Sequence, residues 1–334
     1  MAGAQDEELA CAVADAGGLG SLPCAFLTAD GVRKQVQNCR ARSAAPLNLN
    51  FFCHVAPADT DEVDAAWRAS LAPYYQELGI AVDTSAPAPI RLPFDEAMCS
   101  VVEELKPRVV SFHFGLPASA LLARARAAGA RILCSATSVA EARELEAQGV
   151  DAIIAQGSEA GGHRGMFLSR DPATQVGTFA LVPQLVDAVK VPVIAAGGVA
   201  DARGVAAAFA LGASGVQVGT AYLRCPESRI TAMHRRALAE ARADDTRLTN
   251  VFSGRPARGI QNRIVRERGP LSHVTPPFPL AARALAPLRS RAEASGSADF
   301  SPLWAGQAVA LTREMSAREL TLRLARGVPG ASDA

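Results

Sequence analysis

Short apolar runs alternate with Ala-rich, helix-forming segments along most of this chain, and this rhythm leaves few folds open to it. Several runs are continuously apolar, which is typical of parallel strands covered by helices on both faces. Their alternation with helices indicates a parallel α/β protein. We predict strands over residues 19–23, 47–52, 109–114, 131–134, 152–155, 193–196 and 216–219. Seven strands are one fewer than a closed eight-stranded barrel contains.

Capping signals mark several of the helices between these strands. Ser138 is followed three residues later by Glu141, which is the pattern of a capping box. Asp201 is a suitable N-cap for the Ala-rich segment that follows it. We therefore predict helices over residues 8–16, 139–148 and 202–211.

Length and hydrophobic content bound the domain organisation. The chain has 334 residues and is 49% hydrophobic, which accommodates a barrel of about 250 residues with additions. We predict a barrel over residues 1–225, interrupted by a helical insertion over residues 56–99 that includes a Pro-rich link near 87–93. Residues 226–334 are predicted to form a mostly helical segment that packs on the barrel and completes it, with a frayed end.

Charge and cysteine usage exclude several classes of protein. The net charge is +1 and 20% of residues are charged, so no strong field favours nucleic acid or an anionic membrane. The seven cysteines are widely spaced and include no C-x-x-C pair, which predicts neither a disulfide framework nor a metal site. The acidic start and the lack of a long apolar run predict a cytoplasmic protein.

The segment AQGSEAGGHRG at residues 155–165 carries the clearest chemical signal. It follows an apolar run, and its glycines let the backbone approach a ligand closely. His163 is the only side chain in the segment whose ordinary pKa suits proton transfer near neutrality. Packing explains a histidine beside glycines poorly, so we predict that His163 is catalytic or contacts a ligand.

Two later strand ends also carry glycines. The predicted strand at 193–196 is followed by Gly197 and Gly198, and the next predicted strand ends at Gly219 and is followed by Thr220. In eight-stranded barrels the loops after the last two strands often bind phosphate through backbone N–H groups. A tight turn would explain one glycine pair, but two such ends in tandem favour a phosphate site.

Polar side chains near other strand ends are further candidates. Gln156 and Gln217 can both donate and accept hydrogen bonds at the edge of a heteroaromatic ring. Asn50 shares one strand face with Asn48, and a hydrogen bond to a neighbouring loop is the alternative role for it.

Two histidines and a basic run remain open in role. His54 and His113 lie within or just after predicted strands, and both pocket and structural roles stay open. The basic run is predicted to be a solvated helix face with salt bridges, with an anion site as the alternative; it consists of Arg255, Arg258, Arg263, Arg266 and Arg268.

Taken together, these segments resemble the class I nitronate monooxygenases, formerly called 2-nitropropane dioxygenases, over nearly the whole chain. The glycine–histidine loop and QVGTAYL at 217–223 are shared with a wider flavin superfamily. FSGRPARG at 252–259 and WAGQA at 304–308 narrow the resemblance to the nitronate branch. Further matching segments are AGGLGSL at 16–22, LNLNFFCH at 47–54, VVSFHFGLP at 109–117 and PVIAAGGVAD at 192–201.

The resemblance implies a TIM (β/α)8 barrel that holds FMN non-covalently beneath a smaller added domain. His163 is then the catalytic histidine, which takes the α-proton of a neutral nitroalkane or orients an anionic nitronate. The implied reaction uses O2 to convert a nitronate, such as the respiratory toxin propionate 3-nitronate, into a carbonyl compound and nitrite or a related nitrogen oxide. FMN contacts are implied for Asn50, Gln156, Gly161, Gly162, Gly197, Gly198, Gln217, Val218, Gly219 and Thr220.

The start of the chain departs from the family pattern. Members of the family open with a strand of the type PIIQAPMAG, whereas this sequence begins Met1, Ala2, Gly3. We therefore expect a truncated first strand, which agrees with the count of seven and leaves two strand edges unpaired. The alternatives are a flavin-dependent enoyl-[acyl carrier protein] reductase, whose glycine–histidine loop is nearly the same, and a non-catalytic flavin-binding remnant. The oligomeric state stays open.

Overall fold

Ten strands occur in the computed structural model, which describes residues 2–55, 57, 61–81 and 92–330. In chain order they are β1 (Gly20–Pro23), β2 (Leu47–Phe52), β3 (Val109–His113), β4 (Arg131–Ala136), β5 (Ala152–Gln156), β6 (Gly162–His163), β7 (Val193–Ala196), β8 (Gly215–Gln217), β9 (Thr246–Thr249) and β10 (Ala257–Ile260). Seven of them form one sheet in the order β1-β2-β3-β4-β5-β7-β8, and all its neighbours are parallel.

Helices follow most of the parallel strands, so the predicted α/β class of TIM-barrel type is confirmed. Within the described residues β1 and β8 each pair with one strand, and the barrel is therefore not closed by an eighth strand. The helices are α1 (Glu7–Asp15), α2 (Ala29–Arg42), α3 (Asp61–Glu77), α4 (Glu96–Leu105), α5 (Ser119–Ala127), α6 (Val139–Ala147), α7 (Thr178–Ala188), α8 (Ala202–Ala210), α9 (Thr220–Leu223), α10 (Ala232–Glu240), α11 (Arg263–Arg268), α12 (Ala282–Ala294) and α13 (Ala317–Ala325).

Side-chain caps begin the helices where the sequence predicts them. Ser138 accepts a hydrogen bond from the backbone N–H of Glu141 at the start of α6. Asp201 accepts from the N–H groups of Arg203 and Gly204 at the start of α8. Each cap satisfies N–H groups that a helix leaves without an internal partner. The chain consequently turns from strand to helix within a few residues, which keeps the strand ends close together.

The last parallel strand is shorter than predicted. β8 ends at Gln217 instead of residue 219, and Thr220 begins the short helix α9. Val218 and Gly219 therefore lie in the turn between strand and helix. This placement leaves their backbone outside the β8 strand.

A second sheet of three antiparallel strands was not predicted. Its order is β6-β10-β9, and it pairs His163 with Ala257 and Gly162 with Arg258. The two-residue strand β6 is too short to leave a periodic signal in the sequence. The sheet fixes the glycine–histidine loop against the segment that contains FSGRPARG.

The inserted helix α3 and the C-terminal helix α12 pack on each other. Trp67 Nε1 donates to the carbonyl oxygen of Ala281 at 3.2 Å, and Tyr75 Oη donates to that of Ala284 at 2.7 Å. Both aromatic rings are buried in a core separate from that of the main sheet. Elsewhere α13 packs against α1 and α8. The domain boundaries at 56–99 and 226–334 stay predictions, and most of the Pro-rich link lies outside the described residues.

None of the helices in residues 2–55, 61–81 and 92–330 has both the length and the apolar character needed to cross a membrane.

Candidate active site

The predicted site residues gather at the carboxyl edge of the parallel sheet. Gln156 and the residues after β7 and β8 follow strands that run side by side in one direction. The carboxyl ends of parallel strands meet at one edge, which is where barrel enzymes place their active sites. The structure thus brings together the glycine–histidine loop and the two later glycine-bearing strand ends.

The imidazole of His163 is held by a serine that the sequence did not single out. Nε2 of His163 lies 2.8 Å from Oγ of Ser253, which is buried. Ser253 Oγ in turn donates to the carbonyl oxygen of Arg255 at 3.4 Å. Either Nε2 or Oγ can be the donor of the 2.8 Å hydrogen bond, depending on the tautomer of the imidazole, and in both cases the contact orients the ring.

The backbone of the glycine–histidine loop is fixed from two strand ends. The carbonyl oxygen of His163 accepts from Nε2 of Gln156 at 2.9 Å and lies 3.2 Å from Nε2 of His113. Oε1 of Gln156 accepts from the N–H of Gly165 at 2.7 Å. The Gln156 amide therefore both donates and accepts, as predicted, but its partners here are loop backbone groups. A flavin contact for Gln156 stays a prediction.

The buried guanidinium of Arg164 also holds the glycine–histidine loop in place. Arg164 is fully buried and donates to the carbonyl oxygens of Gln156 and Gly157 at 2.6 and 2.7 Å, and to Oε1 of Gln175 at 2.9 Å. Burial lowers the pKa of Arg164 to about 10, which still leaves it charged at neutral pH. A charged group that donates to backbone carbonyls resists displacement of the loop.

Aromatic rings surround the imidazole of His163. The ring centroids of Phe278 and Trp304 each lie 5.3 Å from it, and those of Phe114 and Phe52 lie at 6.1 and 6.4 Å. Most of these contacts are edge-on. Apolar walls lower the local polarity and exclude water, which strengthens electrostatic interactions at the imidazole.

The glycines predicted to bind phosphate lie in the turn after β7, and the phosphate site itself stays a prediction. Gly197 and Gly198 have φ angles of +108° and +73°, a region that side chains disfavour. A Cβ added to Gly198 would meet only side-chain atoms of Glu159, at 3.8 and 3.9 Å. Glu159 itself accepts from the N–H of Thr178 at 2.8 and 2.9 Å and so caps α7. The space beside Gly198 is therefore open to a ligand.

Residues 304–307 join the glycine–histidine loop to the end of β8. The N–H of Gly306 donates to Oγ1 of Thr220 at 2.9 Å, and that of Gln307 donates to the carbonyl oxygen of Glu159 at 2.9 Å. A Cβ on Gly161 would lie 2.6 Å from the Gly306 nitrogen, so only glycine fits there. One C-terminal segment thus contacts both predicted ligand-binding loops and also supplies Trp304.

Two asparagines of β2 share a face, as their alternation predicts. Nδ2 of Asn48 donates to Oγ of Ser111 at 2.8 Å, and Nδ2 of Asn50 donates to the same oxygen at 2.9 Å. Asn50 is partly exposed whereas Asn48 is buried. The partner of Asn50 is on the neighbouring strand β3 instead of on a loop, and its FMN contact stays a prediction.

His113 and His54 line the aromatic surroundings of the site. Nδ1 of His113 lies 2.5 Å from Oγ of Ser135, and burial lowers the pKa of His113 to about 3. A pKa this far below neutrality makes His113 a weak base, and both of its ring nitrogens already contact protein groups, so His113 is unsuited to be the general base. His54 is buried, and its ring packs edge-on against Phe278 at 4.8 Å.

The prediction of one solvated helix face for the basic run is wrong at its first two arginines. Arg255 lies in a turn with its guanidinium 3.9 Å over the ring of Phe114, and burial lowers its pKa to about 10. Arg258 lies on β10 and donates to the carbonyl oxygen of Ser158 at 2.8 Å. The three later arginines do lie on α11, where Arg263 forms ion pairs with Glu77 and Glu267. Spacing in sequence did not reveal the turn and strand between them.

Sequence reasoning missed Ser253, Phe278 and Trp304 as neighbours of His163. Each lies at least 90 residues from His163 along the chain. Ser253 and Trp304 do fall within FSGRPARG and WAGQA, the two segments that narrowed the resemblance. Those segments were therefore a usable signal for the site, although the residue roles were not.

Comparison with known proteins finds one protein family that matches nearly the whole chain. The family model described as nitronate monooxygenase matches residues 1–327. A protein named nitronate monooxygenase from Paraburkholderia phytofirmans is 44% identical over 330 residues, which cover 98% of this chain and 90% of that protein.

Solved structures show the same relationship. A nitroalkane oxidase from Streptomyces ansochromogenes superposes with a TM-score of 0.88 at 38% identity, covering 97% of this chain and 92% of that one. FabK from Thermotoga maritima gives a TM-score of 0.72 at 28% identity over 97% and 89% of the two chains. The higher identity and TM-score of the nitroalkane oxidase agree with the family match.

Proposed function

Because this chain belongs to the nitronate monooxygenase family, we propose that it is an FMN-dependent oxidoreductase that uses O2 to convert alkyl nitronates into a carbonyl compound and nitrite or a related nitrogen oxide. The observation that carries the proposal is the oriented imidazole of His163 among glycine-bearing strand ends and aromatic walls. Propionate 3-nitronate is the proposed natural substrate, and its removal would be a detoxification.

The open glycines fit the phosphate and the planar ring of FMN. A Cβ on Gly198 would make only ordinary van der Waals contact, with Glu159, and a Cβ on Gly162 would meet nothing within 4 Å. Backbone N–H groups at such strand ends are the usual phosphate ligands of barrel enzymes. We assign the phosphate to Gly197, Gly198, Gly219 and Thr220. The remaining proposed FMN contacts are Asn50, Gln156, Gly161, Gly162, Gln217 and Val218.

Bound FMN supplies the one-electron oxidation of the nitronate, so the protein need only bind, orient and protect the reactants. His163 removes the α-proton from a neutral nitroalkane, while the contact of Nε2 with Ser253 orients the imidazole. With an anionic nitronate no proton need be removed, and the imidazole orients the substrate instead. The surrounding rings of Phe278 and Trp304 keep bulk water from the imidazole.

The enoyl-[acyl carrier protein] reductase is the main alternative, because it would share the glycine–histidine loop. A reductase must also bind a nicotinamide, so NADH separates the two functions. FMN-loaded protein is mixed anaerobically with NADH in one cuvette and with ethyl nitronate in another. We expect the flavin absorbance to fall rapidly with the nitronate and to persist with NADH. The reverse pattern would favour the reductase.

The non-catalytic remnant makes a separate prediction. Purified protein that is colourless and aggregates would support the remnant. Yellow protein that consumes oxygen with propionate 3-nitronate would exclude it.

A further inference from the structure

Two cysteines on neighbouring helices lie in direct contact. Sγ of Cys11 on α1 is 2.9 Å from Sγ of Cys39 on α2. Their residues are 1% and 2% exposed, so the pair is shielded from solvent and held by the packing of the two helices. Both side chains are free thiols in the structure.

This distance is too short for two thiols that merely pack together. A disulfide has a sulfur–sulfur length of about 2.05 Å, so a movement of about 0.9 Å converts the contact into a bond.

We propose that Cys11 and Cys39 are an oxidative modification site that forms an intramolecular disulfide. A peroxide is the oxidant: one thiol attacks the O–O bond to give a sulfenic acid and water, and the second thiol displaces water from that sulfur. In sum, two thiols and one hydrogen peroxide give one disulfide and two waters. The proposal is independent of FMN and of the nitronate reaction.

The cross-link encloses one of the two edge strands of the main sheet. β1 lies between Cys11 and Cys39 in sequence, and among the described residues it pairs with β2 alone. A disulfide that closes this loop restricts the unfolded chain and ties α1 to α2 on both sides of β1. The cross-link therefore stabilises the open edge of the sheet.

Burial slows the oxidation of the two thiols, and their short separation determines which cysteine forms the disulfide. Burial and the contact with Cys11 raise the pKa of Cys39, and little thiolate is present at neutral pH. Oxidation of this pair is consequently expected to be slower than that of an exposed thiol of ordinary pKa. Once one thiol is oxidised, its neighbour at 2.9 Å captures it before any distant cysteine can reach it.

The test counts thiols in the full-length protein before and after mild hydrogen peroxide. The reduced chain contains seven cysteines, and we expect the thiol titration in denaturant to fall from seven to five. Peptide mapping should recover one linked peptide pair that joins Cys11 to Cys39 and lacks two hydrogens. A reductant should restore all seven thiols.

Matched variants separate this pair from the other cysteines. Cys39→Ala should lose no pair of thiols on oxidation, whereas Cys99→Ala, which removes another buried cysteine, should still lose two. Oxidation should raise the melting temperature of the wild type by about 2–5 °C and leave that of Cys39→Ala unchanged. Seven thiols after oxidation of the wild type, or a linkage between other cysteines, would overturn the proposal. Because mapping uses the wild type, it decides the matter even if Cys39→Ala fails to fold.

Discussion

His163 shows how far a single residue can be interpreted before its neighbours are known. Its place between glycines predicted a chemical role, and the structure adds the serine at 2.8 Å that orients the ring. The structure also distinguishes His163 from His113 as a base, because the pKa of His113 is lowered to about 3. Of these two histidines of the site, His163 is the one we assign to proton transfer.

Replacing His163 tests that assignment. We expect His163→Ala to bind FMN but to lose about 10²–10⁴-fold in kcat/KM for nitroethane, because a general base contributes on that scale. The loss for ethyl nitronate should be much smaller, since that substrate is already deprotonated. Oxygen uptake on both substrates measures the ratio. His273→Ala is the control, because His273 is an exposed loop residue. An unchanged rate on nitroethane would remove His163 from the mechanism.

Ser253 is expected to act through His163. Ser253→Ala removes the hydroxyl that holds Nε2, so the ring can turn away from the substrate. We predict about a 10-fold fall in kcat for nitroethane, with KM and FMN affinity little changed, because misplacement of a catalytic group affects the chemical step. Ethyl nitronate provides the internal control. Equal losses on both substrates would indicate a general structural defect instead of a positioning role.

At the scale of elements, the parallel strands were predictable and the small antiparallel sheet was not. β7 has the predicted bounds because it is a continuous apolar run that ends at a glycine pair, and β2 has them because leucine and asparagine alternate before Phe51 and Phe52. β6 has two residues and pairs with β10 nearly 100 positions later. No local sequence pattern encodes such a pairing, so the neighbours of His163 could be identified only from the structure.

The glycine after β7 offers a test of the proposed phosphate site. We expect Gly198→Leu to reduce FMN affinity at least 100-fold, because its side chain would occupy the open space beside Glu159. Fluorescence titration with FMN measures the change. Gly129→Leu is the matched control, since Gly129 also has a positive φ, of +91°, but lies in the turn before β4. Wild-type FMN affinity in Gly198→Leu would contradict the assignment.

Thr220 links α9 to residues 304–307 through one hydrogen bond. Thr220→Val removes the acceptor for the buried N–H of Gly306. Because an unsatisfied buried donor is costly, we expect the free energy of unfolding to fall by about 1–3 kcal/mol. Denaturant unfolding of the apoprotein measures it. Thr220→Ser keeps the acceptor and should fall by less than half as much; equal losses would show that the lost contacts are those of the methyl group.

At the scale of the whole molecule, buried histidines make the fold sensitive to mild acid. Burial lowers the pKa of His113 to about 3 and that of His234 to about 4, from an ordinary value of 6.5. At a pH below 6.5 and above the lowered pKa values, these histidines bind protons in the unfolded chain but stay neutral in the folded one. Stability is therefore full above pH 6.5 and falls as the pH drops towards 4.

The corresponding prediction concerns unfolding of the apoprotein between pH 6.5 and pH 5. We expect a loss of about 2–4 kcal/mol over this interval, before most carboxylates titrate. Denaturant unfolding at several pH values measures it. His234→Gln should reduce the pH dependence, because one of the two histidines with a lowered pKa is then absent. A free energy of unfolding that is constant over this interval would contradict the account.

Oxygen uptake by FMN-loaded protein supplied with propionate 3-nitronate tests the central claim most directly. The proposed site predicts uptake that requires both FMN and the nitronate, with nitrite or a related nitrogen oxide accumulating in parallel. Protein that holds one FMN per chain yet consumes no oxygen with this or any other alkyl nitronate would contradict the account.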